Sequence, residues 1–195
     1  KKVPGKGKTS LLVFFSFIGI GYMFAEMVFI QQFTLFFGSP LYAASAVLSA
    51  MLFFSGTGSA CSQKMVTGSP RLRLVAGVIA VLLALLALFL PSLMKATIGN
   101  PLPVKVLLCA LVIGPPAFLM GMMFPSAILA IRHVGDGSLI PWAWAVNGSF
   151  SVISTALAAV ISVEAGYQTV MWVAVAAYLM AGISTRFRLF SIFVK

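Results

Sequence analysis

Acidic residues are nearly absent from this chain, whose 195 residues include three Asp and Glu against 13 Lys and Arg. Charged residues make up only 8% of it, against roughly 25% in an average soluble domain. This composition excludes an ordinary soluble fold, and the 61% hydrophobic content indicates an integral membrane protein. The single His also excludes a bis-His haem and the common zinc sites with three or four protein ligands.

Cysteine is scarce as well. Cys61 and Cys109 lie towards opposite ends of apolar segments, so the sequence predicts neither a disulfide framework nor a metal site. No nucleophile and base are paired in a recognisable pattern, so we predict no catalytic residue and no cofactor. An intramembrane enzyme is therefore the least favoured class of function.

Six apolar runs are long enough to cross a bilayer, which takes about 20 residues per helix. They cover 11–31, 41–61, 72–94, 104–131, 141–163 and 167–184. The sequence thus predicts an all-α bundle of six transmembrane helices over 11–184, with a basic linker at 1–10 and a basic tail at 185–195. The start, which is rich in Gly and Lys and lacks Met, indicates a piece of a longer polypeptide or a processed product.

The basic residues predict an orientation. If the N-terminus is cytoplasmic, Lys95 and Lys105 alone of the 13 Lys and Arg fall on the outer side. The positive-inside rule then places both termini in the cytoplasm, with the protein in the inner membrane. The basic inner rim should attract anionic lipid headgroups, so the net charge of +10 requires no nucleic-acid partner.

The fourth run contains Gly114, Pro115 and Pro116, where two amide donors are missing. We expect helix four to be broken or kinked there, because proline removes a helical hydrogen bond and its ring crowds the preceding turn. Discontinuous helices often build substrate sites in transporters. A kinked helix that serves only in packing is the alternative.

Glu26 is the one acidic residue well inside an apolar run, where a carboxylate costs about 3 kcal/mol or more unless it is paired or faces water. It is either functional or a neutral Glu that ties helices together. Asn147 and Ser151 share a helix face in the fifth run, which is either a binding wall or a packing seam. The predicted substrate-binding residues are Glu26, Gly114, Pro115, Pro116, Asn147 and Ser151.

Five short motifs are distinctive: GYMFAEM at 21–27, LFFGSPLY at 35–42, SGTGS at 55–59, GMMFP at 121–125 and PWAWAVNG at 141–148. Together they resemble the membrane domain of multi-pass proteins fused to a spermidine-synthase-like domain, the fused transporter/spermidine synthase family. The resemblance implies a linked aminopropyltransferase-like domain elsewhere in the parent polypeptide. The family's Gly-Gly-Gly-Asp-Gly loop and Asp base are absent here, so catalysis is not implied for this chain. What is implied is handling of a polyamine or similar cation.

Two functions remain open on the sequence. The chain is either a domain that transports or handles a small cationic solute, with Glu26 as the attracting group, or an accessory subunit of a larger membrane complex. In the second case, small residues such as Gly56 and Ala60 would be helix contacts and nothing would bind.

Overall fold

The computed structural model describes residues 5–66, 69–134 and 137–185, and these residues form an all-α bundle without strands. Its helices are α1 (Gly5–Phe37), α2 (Pro40–Met65), α3 (Ser69–Thr97), α4 (Leu102–Val134) and α5 (Leu139–Ser184). All five are long and apolar enough to cross a membrane, as expected for a multi-pass membrane protein. The predicted all-α class is confirmed, but the prediction of six separate helices is wrong, because the described residues form five.

The last two predicted helices are both contained in α5, which is interrupted at Gly166 (φ 80°, ψ 158°). Hydrogen bonds show how its two parts lie. The Asn147 side-chain amide donates to the carbonyl of Phe15, near the start of α1. The Gln31 side-chain amide, near the end of α1, donates to the Ser162 hydroxyl. Residues 139–165, the first arm, therefore run alongside α1 in the same direction.

Residues 167–184, the second arm, return along α1. The Ser10 hydroxyl donates to the carbonyl of Ser184 at 2.7 Å, so the end of α5 lies beside the start of α1. Gly21 of α1 faces Tyr178, since a Cβ at Gly21 would lie 2.7 Å from the Tyr178 ring. α1 is thus flanked by both arms.

α2 and α4 pack at backbone distance through a different pair of glycines. A Cβ on Gly58 would collide with the carbonyl of Phe118, and one on Gly121 would collide with the backbone of Ser55. The predicted small-residue contact at Gly56 is not made within the chain, because a Cβ there would meet nothing within 4 Å.

α4 continues as one helix through Gly114, Pro115 and Pro116, so a break at these residues is wrong, while the predicted alternative of a kink stays a prediction. Both prolines do leave carbonyls one turn earlier without a helical donor. The fixed φ of both prolines is nevertheless close to the helical value. Gly114 packs against the Phe54 ring, since a Cβ on Gly114 would lie 3.0 Å from that ring. Among the described helices, the non-helical residue is Gly166.

The ends of the bundle are tied by specific contacts. The Lys105 ammonium donates to the carbonyl of Phe36 at 3.0 Å and lies 5.1 Å from the centre of its ring, which joins the start of α4 to the end of α1. Residues 5–10 of the predicted linker belong to α1. The linker's residues 1–4 and, of the tail, residues 186–195 lie outside the described residues.

We predict that Gly166→Ala lowers the free energy of unfolding by about 1–3 kcal/mol, because φ and ψ at Gly166 lie in a region that is essentially reserved for glycine. Gly77→Ala is the matched control. Gly77 lies inside α3 and a Cβ there meets nothing, so alanine should raise stability by up to about 1 kcal/mol. Unfolding of both variants in mixed detergent micelles measures the difference. Equal effects at the two positions would contradict the prediction.

A candidate ligand cavity in the bundle

A cavity of about 450 Å³ lies between α1, α2, α4 and both arms of α5. Its volume falls in the range of small-molecule sites, about 300–1,000 Å³. Apolar side chains dominate the lining. Two groups of side chains stand out, the aromatic Tyr22, Phe124, Trp144 and Tyr178 and the polar Ser55, Ser59, Asn147 and Ser151.

Asn147 and Ser151, both predicted site residues, line this cavity. The Asn147 amide nitrogen donates to the Phe15 carbonyl at 3.0 Å, and the Ser151 hydroxyl donates to the Asn147 carbonyl at 2.8 Å. In the described part of the chain, the Asn147 side-chain oxygen accepts no hydrogen bond. Asn147 is therefore fixed in orientation by one end of its amide, and the other end is free to meet a ligand.

Gly19 lets the first arm approach α1 at this point. A Cβ on Gly19 would lie 2.8 Å from the Asn147 carbonyl oxygen, 2.9 Å from its side-chain nitrogen and 3.0 Å from the Ser151 hydroxyl. These separations are shorter than ordinary contacts, so any larger residue must push α1 and the first arm apart. The hydrogen bond from Asn147 to Phe15 depends on the absence of that Cβ.

Glu26 does not line the cavity but lies one helical turn beyond a residue that does, Tyr22. It is half-buried, and its carboxylate makes no hydrogen bond or ion pair within the described residues. The Tyr22 side chain hydrogen-bonds Ser55 of α2 and is close enough to Glu26 for electrostatic interaction. The carboxylate is thus adjacent to the cavity wall.

The predicted residues Gly114, Pro115 and Pro116 are not part of the cavity lining. Another proline of α4, Pro125, lines it instead, together with Gly121. Because Pro125 has no amide hydrogen, the Gly121 carbonyl lacks its helical donor and is left as an acceptor in this region. The segment GMMFP at 121–125 marks this proline in the sequence, and the role predicted for Gly114, Pro115 and Pro116 stays a prediction.

The four aromatic residues were also missed. Tryptophan is common in the aromatic belt at a membrane interface, so the sequence position of Trp144 gave no specific signal of a cavity. In the structure its ring lies 4.5 Å from that of Phe124, centre to centre, at the edge of the cavity. Tyr22 and Tyr178 occur in apolar runs where an aromatic side chain is typical of packing, so their sequence positions gave no specific signal.

A second cavity, of about 310 Å³, adjoins the first between α2, α4 and the first arm. Both are lined by Ser59, Phe124, Pro125 and Trp144. The second also has Gln63 and Arg132 in its lining, near the ends of α2 and α4. Among the described residues that line either cavity, Arg132 alone is charged.

No group of three or more His, Cys, Asp and Glu residues comes together as a metal site within 5–66, 69–134 and 137–185. In comparisons with known proteins, no protein-family model, curated protein or solved structure matches the chain.

We predict that Gly19→Ala weakens packing of the first arm on α1 and lowers the free energy of unfolding by about 1–3 kcal/mol, the usual range for overpacking. Gly56→Ala is the control, since a Cβ on Gly56 meets no atom within 4 Å. Thermal unfolding in detergent, with a cysteine cross-link between α1 and the first arm as a distance reporter, measures both. If Gly19→Ala leaves both the free energy of unfolding and the cross-linking unchanged, the first arm does not pack tightly on α1 at Gly19.

Proposed function

We propose that this chain is a membrane domain that binds a small organic cation of the polyamine class in the 450 Å³ cavity and passes it across the bilayer. The observation that carries the proposal is the wall of aromatic rings beside a carboxylate that has no partner among the described residues. An ammonium group over an aromatic face gains about 0.5–2 kcal/mol. Tyr22, Phe124, Trp144 and Tyr178 supply such faces.

Polar groups complete the cation site. The free side-chain oxygen of Asn147 and the hydroxyl of Ser59 can accept hydrogen bonds from an amine. Glu26 supplies negative charge from just outside the wall. Opposite charges attract across a low-dielectric interior without touching, so Glu26 can contribute although it does not line the cavity.

The family resemblance supports the same reading, because four of its motifs meet at the cavity. The segment 21–27 carries Tyr22 and Glu26, while 55–59, 121–125 and 141–148 each contribute lining residues. We propose on this basis that the chain is related to the membrane domain of the fused transporter/spermidine synthase family. LFFGSPLY at 35–42 lies at the turn between α1 and α2, away from the cavity.

We further propose that each arm of α5 crosses the inner membrane, which gives six crossings. At 1.5 Å per residue the arms are about 40 and 27 Å long, near the thickness of a bilayer core. The contact of Ser10 with Ser184 supports placing the start of α1 and the end of α5 on one side. The distribution of basic residues favours the cytoplasm for that side.

A non-catalytic accessory subunit is the second candidate, and one observation favours it. Leu52 and Phe53 of α2 are 69% and 67% exposed, beside Gly56 and Ala60, which are also exposed. A face of small residues flanked by large apolar ones suits close contact with a partner helix. Native mass spectrometry from bicelles tests this. Loss of a partner in Ala60→Leu, which alters the same face but not the cavity lining, would favour the accessory role if the parent protein also binds no cation.

We predict that Glu26→Gln weakens spermidine binding roughly ten-fold, because it removes the negative charge that attracts the cation. A ten-fold change corresponds to about 1.4 kcal/mol of binding free energy. Glu164→Gln is the matched control: Glu164 is exposed near the bend of α5, lines neither cavity and should leave affinity unchanged. Scintillation proximity binding of radiolabelled spermidine to folded protein in nanodiscs measures both. If Glu26→Gln binds as well as the parent, or both variants weaken equally, the cation proposal fails.

For topology, we predict that cysteines placed at Lys8 and Lys64 react with an impermeant maleimide only from the cytoplasmic side. A cysteine at Lys95 should react only from the other side. Cys61 and Cys109 would first be replaced by alanine, so that each reporter is the single thiol. Labelling of inside-out and right-side-out vesicles makes the comparison. Reaction of Lys8 and Lys95 positions from the same side would overturn the proposed orientation.

A further inference from the structure

The second cavity differs from the first in its chemistry. Near the ends of α2 and α4, its lining includes one positively charged side chain, Arg132, and one amide side chain, Gln63. Its other walls are the apolar Ile128 and Leu129 and the aromatic pair Phe124 and Trp144. Neither acidic residue of the described chain, Glu26 or Glu164, lines it. A polar, cationic mouth above an apolar interior fits a molecule with an anionic head and an apolar tail.

We infer that this cavity binds the phosphate headgroup of an anionic phospholipid, with Arg132 as the main ligand. A guanidinium offers paired N–H donors that match two phosphate oxygens. The amide of Gln63 and the hydroxyl of Ser59 are further donors in the same cavity. The lipid site adjoins the proposed cation site and shares Ser59 with it, but its main ligand, Arg132, lines only the second cavity.

The exposure of Trp144 supports placing the cavity at the depth where lipid headgroups lie. Trp144 belongs to the second turn of α5 and is 62% exposed, as is usual for tryptophan at a membrane interface. The amino end of α5 also carries the positive end of the helix dipole, which favours an anion nearby. A lipid acyl chain could then lie along Ile128 and Leu129 of α4, about one turn before Arg132.

Free phosphate would satisfy the same donors, so the experiment must separate the two sources. The apolar walls favour the lipid, because they would remain uncovered around a free ion. Lys64 offers a matched control for general electrostatic attraction. It lies next to Gln63 near the end of α2 and is exposed, but it does not line the cavity.

The test uses Trp144 as the reporter, in a variant where Trp142 and Trp172 are replaced by phenylalanine. The protein is reconstituted in phosphatidylcholine vesicles that contain brominated phosphatidylglycerol or, in a parallel series, brominated phosphatidylcholine. We expect several-fold stronger quenching of Trp144 by the anionic lipid. Arg132→Gln should bring the ratio close to one, and Lys64→Gln should leave it nearly unchanged.

Three results would overturn the inference. Equal quenching by the two lipids in the parent would show no headgroup preference. Equal loss of preference in Arg132→Gln and Lys64→Gln would assign it to the charged surface rather than to the cavity. Removal of the preference by inorganic phosphate, at an ionic strength where chloride has no effect, would make free phosphate the ligand. Spermidine is absent throughout, so failure here is distinct from failure of the proposed cation binding.

Discussion

The bundle depends on the close approach of both arms of α5 to a single helix, α1. Two glycines make this approach sterically allowed: Gly19 faces the first arm, and Gly21 faces Tyr178 of the second. In a bilayer, helices associate through packing and hydrogen bonds, because lipid tails are as apolar as the side chains they would replace. The cavity follows from this geometry, since the Asn147 amide is fixed on α1 and the Tyr178 ring is held against it.

Much of the architecture was predictable because the membrane limits the choice of structure. Apolar runs must be helical, since polar backbone in lipid needs internal partners. The boundary predicted between the runs 141–163 and 167–184 coincides with the bend at Gly166. A break at Gly114, Pro115 and Pro116 was wrongly predicted, for a local reason. Pro115 and Pro116 have a φ that a helix accepts, whereas the positive φ at Gly166 is incompatible with it.

The site was only partly predictable. Asn147 and Ser151 could be found because polar residues at helical spacing are rare in apolar runs, and both line the cavity. Tyr22 and Tyr178 could not, because the face that an aromatic side chain presents is decided by the glycines of neighbouring helices. Glu26 lies next to the cavity rather than in it. Its role stays a prediction, as does the role of the other site residues.

The single-residue bend at Gly166 has a consequence for biosynthesis. Between the two arms there is no polar loop to hold one of them in place while the ribosome completes the other. On the proposed topology, in which each arm crosses the bilayer, the second arm enters it together with the first, as a hairpin. Because α1 precedes α5 in the chain, it then serves as the template on which both arms dock.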